Sequence, residues 1–192
     1  MSEENNPQLK KRDKPAFLLV LLVLSGLSLG GGFFNVVSTI VSGPSSNDEL
    51  NAVRVESAKA LSESRKDLKD SEGEKAFEVA ENMSNFFIER NEFIQKQVFW
   101  PYHLLVFLAT GIGIVGVFFM FKLKKIGFHL YIIYCLLDVG IPFILFPGEL
   151  RSSILTILSL SLSALFVFLY SLNLKHFVDA EPLVGSGFEY NN

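Results

Sequence analysis

Four apolar stretches constrain this 192-residue chain most strongly, because each is long enough to cross a lipid bilayer as a single helix. They occupy residues 15–42, 100–122, 126–147 and 152–174. A hydrocarbon core of ~30 Å needs about 20 helical residues, which each stretch supplies. The 49% hydrophobic content agrees with this, since a soluble domain balances its core with a polar surface. The sequence therefore predicts an all-α integral membrane protein with four transmembrane helices.

The basic residues beside these stretches predict how the chain is oriented. Eight lysines and arginines lie before the first stretch, between the second and third, and after the fourth, whereas the other short loop holds only Arg151. Under the positive-inside rule, the side richer in basic residues faces the cytoplasm. We therefore expect both termini to be cytoplasmic and residues 43–99 to be extracytoplasmic. The eight are Lys10, Lys11, Arg12, Lys14, Lys122, Lys124, Lys125 and Lys175.

Both ends of the chain have the polar composition of cytoplasmic tails. Residues 1–14 are charged without a hydrophobic period, and residues 175–192 are acidic with Gly, Pro and Asn, so we expect the second tail to be disordered. A basic start before an apolar run also describes a cleaved signal peptide. Here the run is about twice the ~7–15 residues of a signal core, and Pro44 would follow the cut, which favours an uncleaved signal anchor.

Residues 43–99 predict an extracytoplasmic helical hairpin between the first two transmembrane helices. A Gly-Pro pair ends the first stretch, and strong helix formers with charges of both signs follow it. Ser71 and Glu74 have the spacing of a capping box, in which two side chains satisfy free backbone amides at a helix start. We therefore expect two helices with a break near Gly73.

The second of these helices carries an apolar seam that indicates a contact surface. Its residues alternate steps of three and four, the spacing of a coiled coil. The first helix offers few apolar side chains to cover it, so we expect a second copy of the chain, another protein or the membrane surface to help bury it. The seam is Phe77, Ala80, Ser84, Phe87, Asn91, Ile94 and Val98, and the candidate contact residues within it are Phe77, Phe87, Ile94 and Val98.

Small residues in the first two stretches predict where the helices pack closely. Gly26 and Gly30 form a GxxxG pair, and Ala109, Gly113 and Gly116 share one helical face. Without bulky side chains, these positions let a neighbouring helix approach, and such van der Waals contact drives helix association in lipid. Packing within the bundle is favoured over homodimerisation for the GxxxG pair.

Asp138, in the middle of the third stretch, is the one carboxylate in the four apolar stretches. A charge at the bilayer centre costs ~2.5–3.5 kcal/mol on insertion scales, so such a residue usually faces the bundle or a wet cavity. The sequence favours neither of two interpretations of Asp138: a protonated acid that only donates a hydrogen bond between helices, or an acid with a functional role. At ~1.5 Å rise per residue, one polar group from each helix falls at a similar depth, which predicts a polar layer with Asp138 bonded to another member. The layer is Asn35, Thr110, Asp138, Ser159 and Ser161.

The second half of the chain resembles a known group of proteins. Residues 124–177, ending in Leu-Tyr-Ser-Leu-Asn-Leu-Lys-His-Phe, are similar to the carboxyl-terminal half of small four-helix bacterial membrane proteins of uncharacterised function. The resemblance implies a multi-pass protein of the bacterial cytoplasmic membrane. It carries no activity, cofactor or site residue with it.

No motif in the sequence predicts an enzyme. The chain has no HExxH, P-loop or GxSxG, and its three histidines fall at different depths, with His103 expected at the membrane interface. Residues 111–116 match GxGxxG, but a dinucleotide site needs a strand before the glycines, and these lie inside an apolar stretch. We therefore expect no cofactor, no metal and no nucleic-acid partner.

Three functions from different classes remain open at this point. The favoured one is a structural or interaction protein that presents the extracytoplasmic hairpin. The first alternative is a small transporter or proton-coupled protein that uses Asp138. The second is a membrane sensor whose outer helices signal to the cytoplasmic tails.

Overall fold

The computed structural model describes residues 15–66, 71–151 and 153–178, and these ranges are helical with no β-strand. Helices α1, α4, α5 and α6 are each long and apolar enough to cross a membrane. The predicted all-α architecture with four candidate membrane spans is confirmed. The helices are α1 (Ala16–Ser42), α2 (Asn47–Lys66), α3 (Ser71–Gln97), α4 (Phe99–Phe121), α5 (Lys125–Leu145) and α6 (Ser153–Ser171).

The core lies between α1, α4 and α5, and α4 and α5 approach each other most closely at two glycines. A Cβ on Gly127 would overlap the carbonyl oxygen of Gly116 and the amide nitrogen of Met120. Backbone therefore rests on backbone at this crossing, as small residues permit in lipid. Leucines of α1 and Tyr131 of α5 continue the core from there.

The turn between α4 and α5 is held by the chain that follows α6. Leu123 has φ of 58°, a backbone conformation that costs a non-glycine residue ~1–2 kcal/mol, and its buried side chain offsets that cost. Val178 donates its amide hydrogen to Leu123 and accepts one from Lys125, while Phe177 is buried. Residues 175–178 are therefore folded, and the tail boundary predicted at residue 175 is wrong. The rest of that predicted tail lies outside the described residues.

Helix α6 is attached to α1 near the end of the bundle that carries this turn. The Tyr170 hydroxyl lies 3.0 Å from the carbonyl oxygen of Leu21 and 2.8 Å from Oγ of Ser25. Tyr170 is fully buried, whereas most other described side chains of α6 are exposed. Most of α6 thus presents apolar side chains outward, as a lipid-facing helix does.

Helices α2 and α3 contact each other through side chains spread along both. Arg54 forms an ion pair with Glu92, and the guanidinium of Arg65 lies 5.6 Å from the ring centre of Phe77. Two separate helices are present as predicted, and Gly73 is the third residue of α3, so the break near Gly73 stays a prediction. Residues 67–70, between the two helices, lie outside the described residues.

Candidate functional site between the membrane-spanning helices

Asp138 lies on the inward face of α5. Tyr131 and Cys135, seven and three residues before it, are buried, as is Ile141 three residues after it. Since residues three or four apart share one side of a helix, Asp138 belongs to this packed face. Its own side chain is exposed, and two cavities adjoin it.

The larger cavity, of about 340 Å³, lies between α1, α4 and α5. Three members of the predicted polar layer line it: Asn35 from α1, Thr110 from α4 and Asp138 from α5. The structure therefore brings side chains from three helices to one hollow. The rest of its lining is Ser28, Leu29, Gly32, Val36, Thr39, Tyr102, His103, Val106 and Tyr134.

The smaller cavity, of about 50 Å³, lies on the other side of Asp138 and is bounded by α3, α5, α6 and the turn before α6. Ser159, the fourth predicted layer residue, lines this cavity together with Arg90 and Arg151. Ser161 lines neither of the two cavities and is exposed on α6. Asp138 therefore separates the two hollows, and the layer is divided between them.

The predicted hydrogen bond from Asp138 to another layer residue is absent among the described residues, so that prediction is wrong. The Thr110 hydroxyl donates instead to the carbonyl oxygen of Val106, 2.8 Å away in its own helix. Thr39 donates likewise to the carbonyl oxygen of Asn35. Short hydroxyl side chains often bond back within their helix, and here the cavity keeps the opposing helices apart. A hollow lined by several polar groups has the partners that bridging water needs.

His103 is buried and lines the larger cavity, so its side chain faces the bundle, and its depth at the membrane interface stays a prediction. Its Nδ1 lies 2.8 Å from the carbonyl oxygen of Phe99. A carbonyl oxygen only accepts, so Nδ1 carries the proton and Nε2 of the neutral ring is an acceptor. His103 lies seven residues before Thr110, the spacing of a shared helical face, which is the sequence signal for its inward position.

Pro142 adds a second polar feature at Asp138. In a regular helix the amide hydrogen of residue 142 bonds the carbonyl oxygen of residue 138, and proline has no such hydrogen. Pro142 lies inside α5 and lines the smaller cavity. The spacing of four between an acid and a proline within one apolar stretch is the sequence signal for this feature.

The predicted packing residues differ in what they contact. A Cβ on Gly113 would lie 2.9 Å from Cγ of Tyr134, so Gly113 makes room for a residue of the larger cavity. Gly116 faces the α5 backbone, and Ala109 is buried. A Cβ on Gly26 would make an ordinary 3.9 Å contact with Val117, but one on Gly30 would meet open space. The GxxxG prediction therefore fails at Gly30.

Phe146, just after α5, joins α3 to the ends of α4 and α5. Its buried ring stacks on Tyr102 at 5.6 Å between centres and meets Phe93 of α3 edge-on at 5.9 Å. The Arg90 guanidinium lies 4.7 Å from the centre of the same ring. This cluster was not predicted from the sequence, although an aromatic residue directly before a Pro-Gly turn is a signal for it.

Arg151 fixes the end of α5 beneath that cluster. Its Nε donates to the carbonyl oxygen of Phe146 at 2.7 Å and its Nη2 to that of Phe143 at 2.9 Å. The last carbonyl groups of a helix lack intrahelical donors, so an arginine here both satisfies them and complements the helix dipole. Arg151 therefore stabilises the end of α5, the helix that lines both cavities.

The predicted contact surface on α3 is mostly covered. Ile94 is buried, Val98 is half-buried, and Phe77 is half-buried beside Arg65. Only Phe87 is exposed, and a different set of apolar side chains accompanies it. This set consists of Val79 and Met83, which precede Phe87 at steps of four residues. We call Val79, Met83 and Phe87 together the α3 stripe.

The chemistry of the larger cavity follows from its charged groups. Asp138 is the only carboxylate in its lining, and no lysine or arginine lines it. Among the described residues, no group of three or more His, Cys, Asp or Glu side chains could hold a metal ion. The cavity therefore suits a polar guest that is neutral or positively charged.

Comparison of the chain with protein-family models, with curated proteins and with solved structures found no match. The resemblance of residues 124–177 to small bacterial membrane proteins gains no support from these comparisons.

Proposed function

We propose that this protein is a membrane-anchored interaction protein that presents a hairpin of α2 and α3 on the extracytoplasmic side. The contacts between the helices support the hairpin, because Arg54 early in α2 pairs with Glu92 late in α3, and Arg65 late in α2 meets Phe77 early in α3. An antiparallel pair produces this order. The excess of basic residues at the opposite end of the spans supports the orientation.

The α3 stripe is the observation that carries this proposal. Val79, Met83 and Phe87 are 60%, 42% and 46% exposed. They line a largely apolar groove of about 260 Å³ with Phe86 of α3 and the first turn of α6. Exposed apolar side chains clustered on one helix face mark an interaction site more often than scattered ones do.

The binding free energy that the α3 stripe can supply is that of one part of a larger interface. Fully burying an apolar side chain of this size gives ~1.5–3 kcal/mol, and about half of each is already covered. Covering the remainder would therefore yield roughly 1 kcal/mol for each of the three residues. Such residues act as anchors at the centre of an interface whose rim is polar. We expect the partner to be a protein.

Photo-crosslinking in intact cells tests this proposal. A photoreactive phenylalanine analogue at Met83 is compared with the same analogue at Val55, which is exposed on α2. We expect a covalent protein adduct from position 83 and little from position 55. An adduct of twice the chain's mass would identify a second copy as the partner. Equal adducts at both positions, or none at position 83, would refute the proposal.

A second candidate, a small proton-coupled protein, is supported by the position of Asp138 between two cavities. A carboxyl group that adjoins hollows on both sides has room for water, which a proton path requires. This candidate uses the membrane-spanning helices, whereas the first uses α3. The two are therefore separable by substitution.

A further inference from the structure

We propose that the larger cavity is a binding site for a small organic cation carrying a primary ammonium group. The proposal concerns the space between α1, α4 and α5 and does not depend on the α3 stripe. Four features of the lining support it: its charge, its acceptors, its volume and its aromatic rings.

The charge of the cavity lining indicates the sign of the ligand's charge. No lysine or arginine is in the lining of the larger cavity, whereas Arg90 and Arg151 line the smaller cavity on the other side of Asp138. An anion would meet a carboxylate without a compensating base, which is costly in a low-dielectric site. A cation instead supplies a counter-charge on the side of Asp138 that borders the larger cavity.

The acceptors match the three donors of an ammonium group. The carboxylate of Asp138 and the amide oxygen of Asn35 accept hydrogen bonds, and so does Nε2 of His103, because its Nδ1 is used toward Phe99. These groups come from three different helices, so together they can surround a guest. A primary ammonium group has three donors and no acceptor.

The volume distinguishes an organic cation from a bare metal ion. A cavity of about 340 Å³ corresponds to the liquid volume of about eleven water molecules at ~30 Å³ each. Metal ions such as Ca²⁺ hold their oxygen ligands at ~2.3–2.6 Å, which a hollow of this size does not provide. A molecule of up to about ten non-hydrogen atoms fits, at the small end of the ~300–1,000 Å³ range of ligand sites.

Two tyrosine rings make the cavity suitable for a cation in particular. Tyr102 and Tyr134 line it, and aromatic faces attract ammonium groups. Both rings are fixed from behind, Tyr102 by stacking on Phe146 and Tyr134 by its contact with Gly113. Side chains that are already ordered lose little entropy on binding.

The test uses the purified full chain in detergent with sodium chloride as background salt. Calorimetry and thermal unfolding are measured with n-butylammonium chloride and with n-butanol, a neutral molecule of similar length. We expect saturable binding and a raised Tm with n-butylammonium, and no saturable binding of n-butanol. Equal binding of the two, binding of neither, or the same Tm shift from added sodium chloride would overturn the proposal.

A matched pair of glycine variants locates the site without altering Asp138. Gly32 lines the cavity, and a Cβ there meets nothing within 4 Å, so Gly32→Leu adds bulk to the lining without a clash. A Cβ on Gly30 also meets open space, but Gly30 does not line the cavity. We expect Gly32→Leu to weaken n-butylammonium binding at least tenfold and Gly30→Leu to leave it within twofold. Equal affinities of the two variants would overturn the proposal.

Asp138→Asn then tests the charge. The amide keeps the shape and removes the negative charge, so we expect at least a tenfold loss of n-butylammonium affinity. Unchanged affinity in a folded Asp138→Asn protein would contradict the assignment. If that variant fails to fold, the glycine pair decides the question. Failure here leaves the crosslinking result at Met83 unaffected, because the two sites share no residue.

Discussion

The ring of Tyr134 lies so close to Gly113 that a Cβ at residue 113 would stand 2.9 Å from its Cγ. This contact joins α4 to α5 beside the larger cavity and holds a lining residue in place. Real side chains essentially never approach so closely. Gly113 is thus required by its neighbour, whereas Gly111, two residues earlier, faces open space.

Gly113→Ala is therefore expected to destabilise the protein by ~1–3 kcal/mol, the usual cost of overpacking a well-packed site. Gly111→Ala is its control, because alanine also favours the helix and nothing opposes its methyl group. Thermal unfolding in the same detergent compares the two. A Gly113→Ala protein as stable as Gly111→Ala would show that Tyr134 moves aside freely.

Two substitutions distinguish the possible roles of Asp138. Asp138→Asn keeps a hydrogen-bonding side chain of the same shape, whereas Asp138→Leu leaves the cavity without its acceptor. If the acid is only a neutral bonding group, expression and Tm should be retained in Asp138→Asn and lowered in Asp138→Leu. If it carries protons, Asp138→Asn should give a stable protein that fails to move protons in reconstituted vesicles. Equal stability of both variants with unchanged proton movement would exclude both roles.

Replacing the three residues of the α3 stripe with serine should reduce partner binding by roughly 3 kcal/mol, or over a hundredfold in affinity. Val53→Ser with Val55→Ser on α2 is the control, since both valines are exposed outside the groove. Co-purification from detergent with the crosslinked partner measures the difference. Leu50 is unsuitable as a control because it is buried. Greater loss from the α2 pair would place the interface on α2 instead.

A cysteine at Ser64 tests the orientation, because this residue is exposed on α2. In a Cys135→Ser background, we expect an impermeant thiol reagent to label it in intact cells. The basic residues at the opposite end of the spans are the reason. Labelling that appears only after the cells are lysed would invert the topology and place α2 in the cytoplasm.

Tyr170→Phe should loosen α6 from α1 by ~0.6–1.7 kcal/mol, the measured range for hydrogen bonds between membrane helices. The lost hydroxyl bonds Ser25 and Leu21, and the ring itself is preserved. A double-mutant cycle with Ser25→Ala, followed by thermal unfolding, isolates the pair. Additive effects of the two substitutions would mean that the contact is not a coupled one.

The amino-acid sequence by itself determined the helical class, the four candidate spans and the place of Asp138 within one of them. A bilayer demands about 20 apolar residues per span and leaves backbone groups no partner outside a helix, so these features are local. Fixed helical rise likewise predicted a common level for Asn35, Thr110 and Asp138, and these three line one cavity.

Only the tertiary structure decided which way each helix face turns. Lipid supplies no hydrophobic force between helices, so close packing with neighbours sets the rotation of a span. The sequence could not tell that Gly26 meets Val117 while Gly30 meets nothing, or that His103 turns inward. Tyr170 and Ser25 meet across 145 residues. On α3, Ile94 is buried whereas the α3 stripe stays exposed, and the apolar spacing of the two sets does not distinguish them.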